Sequence, residues 1–264
     1  MKYTNIKNAI CVIINIIVFK YNKNKDDYHD ISSRIELQFE NIDKLFSAFE
    51  MPVQNKEYNE LVRDLVIASD TFVIKRPTFG THSIIAGFPW FLDWGRDTLI
   101  AFEGLLLTTK RIDLAKEILL TFTRDIKFGL VPNGYSGFDN RPLYNSADAS
   151  LLLFDQVNKF LQYTKDYDFV KENLYDKLKD IIANYQNGID LDNNNIYIDE
   201  DGLLSSGTET TQNTWMDAKI GDYAVTPRNG KVVELNALWY NALKTVEHLA
   251  NKFETKEVAD VYRK

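Results

Sequence analysis

The sequence predicts an all-α protein, and two patterns carry that prediction. From residue 31 onward, apolar residues recur at helical spacing in segment after segment, each with one apolar stripe. The links between these segments alternate between short and long. A chain of 264 residues that is 45% hydrophobic and 26% charged is also long and apolar enough to bury a core.

The first element stands apart from the helices. Residues 9–19, AICVIINIIVF, form an apolar run behind Lys2 and Lys7. The run is too short to span a bilayer and lacks a small-x-small cleavage site. Its β-branched residues Val12, Ile13, Ile14, Ile16, Ile17 and Val18 favour a buried strand, with a targeting segment or a surface anchor as the alternatives. An entry helix follows within residues 31–55. Ser33 and Glu36 make a capping-box pair, and Ile35, Phe39, Ile42, Phe46 and Phe49 continue the helical spacing as far as Pro52.

Six further stripes come next. They are Tyr58, Leu61, Leu65, Ala68, Phe72; Leu99, Phe102, Leu106; and Ile112, Ala115, Leu119, Phe122, Ile126. Then follow Ala149, Leu153, Val157, Phe160; Val170, Leu174, Leu178, Ile181, Tyr185; and Leu235, Trp239, Leu243, Val246, Ala250. A seventh begins near Lys256. The links near Lys110, Lys165 and Glu254 are short, which makes the helices they join antiparallel. If the helices alternate up and down, the three long connections, 75–95, 128–146 and 189–233, emerge at one end and form a pocket rim.

Composition narrows what that rim binds. Thirty-one Lys and Arg against 38 Asp and Glu leave a net charge of −7, which argues against nucleic acid and anionic membrane partners and favours a neutral ligand. Cys11 is the single cysteine, so no internal disulfide forms, and His29, His82 and His248 are too scattered for a Cys/His metal cluster. Zinc chemistry is therefore not expected.

The long connections hold the chemistry. The first reads GFPWFLDWGRDT and places Trp90, Asp93, Trp94, Arg96 and Asp97 together. Aromatic faces stack on pyranose rings, and Asp and Arg bond adjacent sugar hydroxyls; a hydrophobic staple with Asp97 capping a helix is the structural alternative. The second ends NRPLYNSAD, where Asn145 or Ser146 is an N-cap candidate and Asp148 a first-turn acid, so these groups are equally structural or ligand-binding. The third contains TWMDAK and TPRNGKVVELNALWY. Asp217 beside Trp215 is a carboxyl next to a water-excluding ring, the setting that lets an acid retain its proton. A solvated loop aspartate is the alternative for Asp217, and a dipole-favoured first-turn acid the alternative for Glu234.

AGFPWFLDWGRDTLIAFEGLLL, RPLYNSADASLLLF, TWMDAK and TPRNGKVVELNALWYNAL together resemble the C-terminal glucosidase region of glycogen debranching enzymes, in the stand-alone bacterial and archaeal form. The resemblance runs in order from about Phe72 to Asn251. It implies an (α/α)6 toroid of six helical hairpins, a cytoplasmic location, and hydrolysis of α-1,6-linked glucose at the branch points of glycogen or branched limit dextrin, with inversion. By this resemblance Asp217 is the general acid. Arg96 and Asp97, with Trp90 and Trp94, hold the non-reducing glucose, Asp93 is a further substrate-binding residue, and Tyr144, Asn145 and Asp148 contribute from the second connection. The chemistry implied needs only carboxylates and water, with no metal or organic cofactor. Trp215, Arg228, Glu234 and Asn236 shape the branch and acceptor side. A glucoamylase-type or trehalase-type glycosidase and a non-catalytic glucan-binding protein are the competing readings.

The same resemblance divides the chain into a strand remnant of an upstream β-rich domain with its linker (1–30), an entry helix (31–55) and the N-terminal half of the toroid (56–264). An inverting glycosidase needs a second carboxyl about 6.5–9.5 Å from the acid. In the family this base comes from the last part of the barrel, so it is expected beyond Lys264. Half a closed barrel leaves apolar flanks in water, and self-association with negligible hydrolase activity is expected of the 264-residue chain.

Overall fold

A computed structural model describes residues 55–76, 79–88, 91–136 and 139–263. The expected strand at 9–19 and the entry-helix stripe from Ser33 to Pro52 lie outside the described residues. The chain divides into two compact units, Met1–Asp70 and Thr71–Lys264. The first contains α1 (Lys56–Asp70), whose start is capped by the Asn55 side chain accepting from the Tyr58 amide at 3.2 Å.

The second unit is predominantly helical. A hairpin of β1 (Val73–Arg76) and β2 (Thr81–Ile84), paired antiparallel from Val73 opposite Ile84 to Arg76 opposite Thr81, leads into α2 (Gly95–Phe102). α2 runs on as a π-helical turn, Glu103–Leu107, followed by α3 (Ile112–Arg124). Next come α4 (Ala149–Thr164), α5 (Tyr167–Asn173), α6 (Tyr175–Asn187), α7 (Val233–Phe253) and α8 (Lys256–Asp260). The long connections carry short antiparallel ribbons of their own: β3 (Gly134–Tyr135) with β4 (Pro142–Leu143), β5 (Tyr197–Ile198) with β6 (Leu204–Ser205), and β7 (Lys219–Ile220) with β8 (Tyr223–Ala224).

From α2 onward the apolar stripes read from the sequence are the ones largely buried. The stripe expected over 58–72 is not, since Tyr58, Leu61 and Leu65 are exposed and α1 ends before Phe72. Leu99, Phe102 and Leu106 are fully enclosed, as are Ala115, Leu119 and Phe122, and then Ala149, Leu153, Val157 and Phe160. Tyr185 stacks on Trp239, ring centroids 5.9 Å apart, which joins α6 to α7. α2 packs on α4 and α4 on α7, and each of these three helices begins at the end of a long connection. The short links turn tightly, Lys110 and Lys165 both adopting left-handed backbone at φ 60° and 58°.

Two helices depart from simple periodicity. At the end of α2 the amides of Thr108 and Arg111 bond the carbonyls of Glu103 and Leu106, each five residues back. That widened turn brings both Leu106 and Leu107 into the core. The single helix expected over Val170–Tyr185 is instead α5 and α6, broken at Leu174 (φ −120°). The Asn173 side-chain amide bonds the Phe169 carbonyl at 2.9 Å, a local competitor of the helical ladder at the break. The stripe survives because Leu174 itself stays fully buried.

The start of α2 is held against the second connection. The Gly95 amide donates to the Asn133 carbonyl at 2.8 Å, and a Cβ added at Gly95 would lie 2.5 Å from the Pro132 carbonyl oxygen. Gly95→Ala must therefore push two backbones apart, and the expected loss is about 1–3 kcal/mol of unfolding free energy, read as a lower urea midpoint by circular dichroism. An unchanged midpoint would mean that the connection can retreat without cost.

Candidate active site

The three long connections meet at one side chain. Arg96, in the first turn of α2, is 8% exposed at its side chain, and Asp148, which immediately precedes α4, is 5% exposed. Arg96 donates Nε to Asp148 Oδ2 at 2.7 Å and Nη2 to Asp148 Oδ1 at 2.9 Å. Its Nη1 reaches Asp217 Oδ2, in the third connection, at 3.1 Å. Asp217 is 54% exposed, so it presents a carboxyl to solvent on a buried support. Burial opposes the charge of Arg96. Asp148, with Asp217 and Asp97 in support, nevertheless holds the guanidinium protonated more firmly than usual.

Asp97, one residue further along α2, is an exposed first-turn acid. Desolvation pushes its carboxyl above the ordinary range, against the pull of Arg96 and with added push from Asp217 and Asp148. It does not cap α2: the helix starts at Gly95, behind an extended Trp94. The second connection also departs from simple capping, because Asp148 makes no side-chain cap bond and turns its carboxylate to Arg96. Ser146 Oγ instead accepts from the Ala149 amide at 3.1 Å and donates to Asp148 Oδ1 at 2.6 Å.

Arg228, Glu234 and Trp215 form a second group. Glu234, in the first turn of α7, receives Arg228 Nε at 2.7 Å, a second guanidinium bond from Arg228 Nη2, and the Trp215 indole N–H at 3.1 Å. Desolvation pushes the Glu234 carboxyl up, but the Arg228 and Trp215 bonds prevail and hold it below the ordinary range. The Arg228 guanidinium lies 5.9 Å from the Trp215 ring centroid, and the ring is 54% exposed. Trp215 is thus fixed toward Glu234 and Arg228, while Asp217, two residues on, is fixed by Arg96.

Other sequence candidates serve the frame. Asp93 is 2% exposed and binds Arg76 through both oxygens, at 2.6 and 2.8 Å. Arg76 also bonds Asn140 at 2.7 Å. The Tyr144 hydroxyl donates to the Asp125 carbonyl at 2.7 Å, and Asn145 Oδ1 accepts from Asn133 at 3.4 Å. The Asn236 amide bonds both the amide and the carbonyl of Leu204, tying α7 to β6. Trp94 lies against Gly134, where an added Cβ would meet the ring at 3.0 Å. Trp90 lies outside the described residues. Sequence reasoning missed Arg76, Asn133 and Asn140, since an arginine in a short strand or an asparagine in a loop carries no local signal of a distant partner. Among the described residues no group of three or more His, Cys, Asp or Glu is arranged to hold a metal ion, and no helix is long and apolar enough to cross a membrane.

The buried Arg76–Asp93 pair supports the Asp93–Trp94–Gly95–Arg96 turn. Removing one partner leaves an uncompensated charge, so Asp93→Asn is expected to cost about 3–5 kcal/mol in a urea titration. A loss under about 1 kcal/mol would reduce the pair to surface rank.

The chain is 29% identical over 232 residues to the glycogen debranching enzyme of Saccharomyces cerevisiae, an alignment covering 67% of this chain and 15% of the yeast protein. Residues 67–264, which include every site residue described above, match the amylo-alpha-1,6-glucosidase family. By that match, across most of its length, the chain belongs to the amylo-alpha-1,6-glucosidase family.

Proposed function

We propose that the protein acts as a glycoside hydrolase on glycogen or branched limit dextrin, releasing α-1,6-linked glucose with inversion, and that Asp217 is its general acid. The observation that carries this reading is the Asp217 carboxyl: exposed to a ligand, yet anchored by a buried guanidinium where three connections meet. A proton donor must be reachable by the leaving oxygen and fixed in direction, and Asp217 is both. The half-exposed Trp215 ring, two residues earlier in the same connection and turned toward Glu234, offers an apolar face to a sugar. The reaction needs carboxyl groups and water alone.

In this reading α2, α4 and α7 are inner helices of an (α/α)6 toroid, with α3, α5, α6 and α8 behind them. Glu234 orients Trp215 and Arg228. Its oxygens already receive three bonds, so we do not assign it the water-activating role. Asp97 and Trp94 face the bound glucose. We place the enzyme in the cytoplasm, where glycogen is stored.

Asp97 is the competing proton donor, because its carboxyl is the one pushed upward in this cluster. Kinetics separate the two in the protein expressed at its full native length. Asp217→Asn is expected to lower glucose release from branched dextrin by roughly 10²–10⁴-fold with substrate binding retained, whereas Asp97→Asn mainly raises KM. The reverse pattern would move the acid role to Asp97. Wild-type binding with no hydrolysis at all would favour a glucan-binding protein. Trp215→Ala, which removes the exposed ring together with its hydrogen bond to Glu234, is expected to weaken glycogen binding several-fold, by about 1 kcal/mol, in affinity electrophoresis. Unaltered migration would remove Trp215 from the ligand surface.

A further inference from the structure

The contacts behind Arg96 carry an inference beyond the acid itself. A guanidinium is a rigid planar fork, and capture of its Nε and Nη2 edge by one carboxylate fixes the plane and hence the direction of Nη1. Asp148 makes that capture, at 2.7 and 2.9 Å, and Nη1 is left aimed at Asp217, 3.1 Å away. Asp148 is in turn held by the fully buried Ser146 hydroxyl, which donates to Asp148 Oδ1 at 2.6 Å and accepts the first amide of α4. The order of contacts is therefore Ser146 to Asp148, Asp148 to Arg96, Arg96 to Asp217, from full burial out to solvent.

Burial follows the same order: the Arg96 and Asp148 side chains are 8% and 5% exposed, and Asp217 is the partner that faces solvent.

We propose that Asp148 and Ser146 are positioning residues, neither of which touches the sugar, and that they aim the Asp217 carboxyl through the guanidinium of Arg96. Family resemblance alone would place Asp148 and Arg96 against the glucose. The inference rests on the reading of Asp217 as proton donor, but its test needs no turnover.

The experiment is side-chain NMR on the protein expressed at its full native length, with 13C and 15N confined to Asp and Arg, following the Arg96 Nε–H and the Asp217 carboxyl carbon at one fixed pH. The carboxyl line is assigned by its loss in Asp217→Asn. In the unaltered chain the Arg96 Nε–H should exchange slowly. In Asp148→Asn its exchange should accelerate by about tenfold or more, the equivalent of one lost charge-assisted hydrogen bond, and the Asp217 line should move. Ser146→Ala should move the same two signals less, and Ser146→Thr, which restores a hydroxyl, should return them. The Ser146 pair also decides the matter if Asp148→Asn does not fold. An Asp217 line that stays in place while the Arg96 signal is lost overturns the proposal, as does an Arg96 signal indifferent to both substitutions. Failure here leaves Asp217 as acid to be judged by hydrolysis, and failure of hydrolysis leaves the positioning result standing.

Discussion

A buried guanidinium cannot remain in a fold unless its charge is met, and Arg96 is met by acids that lie 52 and 121 residues further along the chain. That constraint ties the start of α2 to the start of α4 and to the loop before α7. The three helices can bring their beginnings together because short links reverse the chain after α2, α4 and α7. The site is thus a consequence of helix alternation, closed by one side chain.

Around that centre the connections are stitched by backbone. Gly95 bonds Asn133, Ala147 bonds the Asn213 carbonyl, and Ser206 pairs with Gly230. Asn236 serves as a surrogate peptide for Leu204. These bonds satisfy polar groups that long loops would otherwise bury without partners. They also hold the loops stiffly enough to orient a carboxyl and a ring.

Burial divides the polar residues by role. Arg76 with Asp93 and Arg96 with Asp148 are shielded pairs, engaged with each other and with the frame. Asp217, Asp97 and Trp215 are open to solvent and lie on that frame. Acids also gather where α2 and α7 begin, Asp97 and Glu234 both lying in first turns, where the helix dipole favours negative charge.

Much of the helical architecture was legible in the sequence, because the physics of a stripe is local. Leu99, Phe102 and Leu106, or Ala149, Leu153, Val157 and Phe160, share a face by 3.6-residue geometry whatever the rest of the chain does. The alternation of short and long connections likewise announced that unusual residues would gather at one end. Family motifs marked Arg96, Asp148 and Asp217, but no spacing rule states that one guanidinium binds both acids. The break at Leu174 follows a local side-chain bond that no stripe announces, whereas the transfer of Asp93 to Arg76 and the turning of Trp215 toward Glu234 were decided by tertiary packing. The latter two depend on a partner that only the folded chain supplies. The sequence by itself determined which faces are apolar and where the chemistry-bearing loops lie. Which polar groups meet, and so which remain free for a ligand, was settled by the closing of those loops on one another.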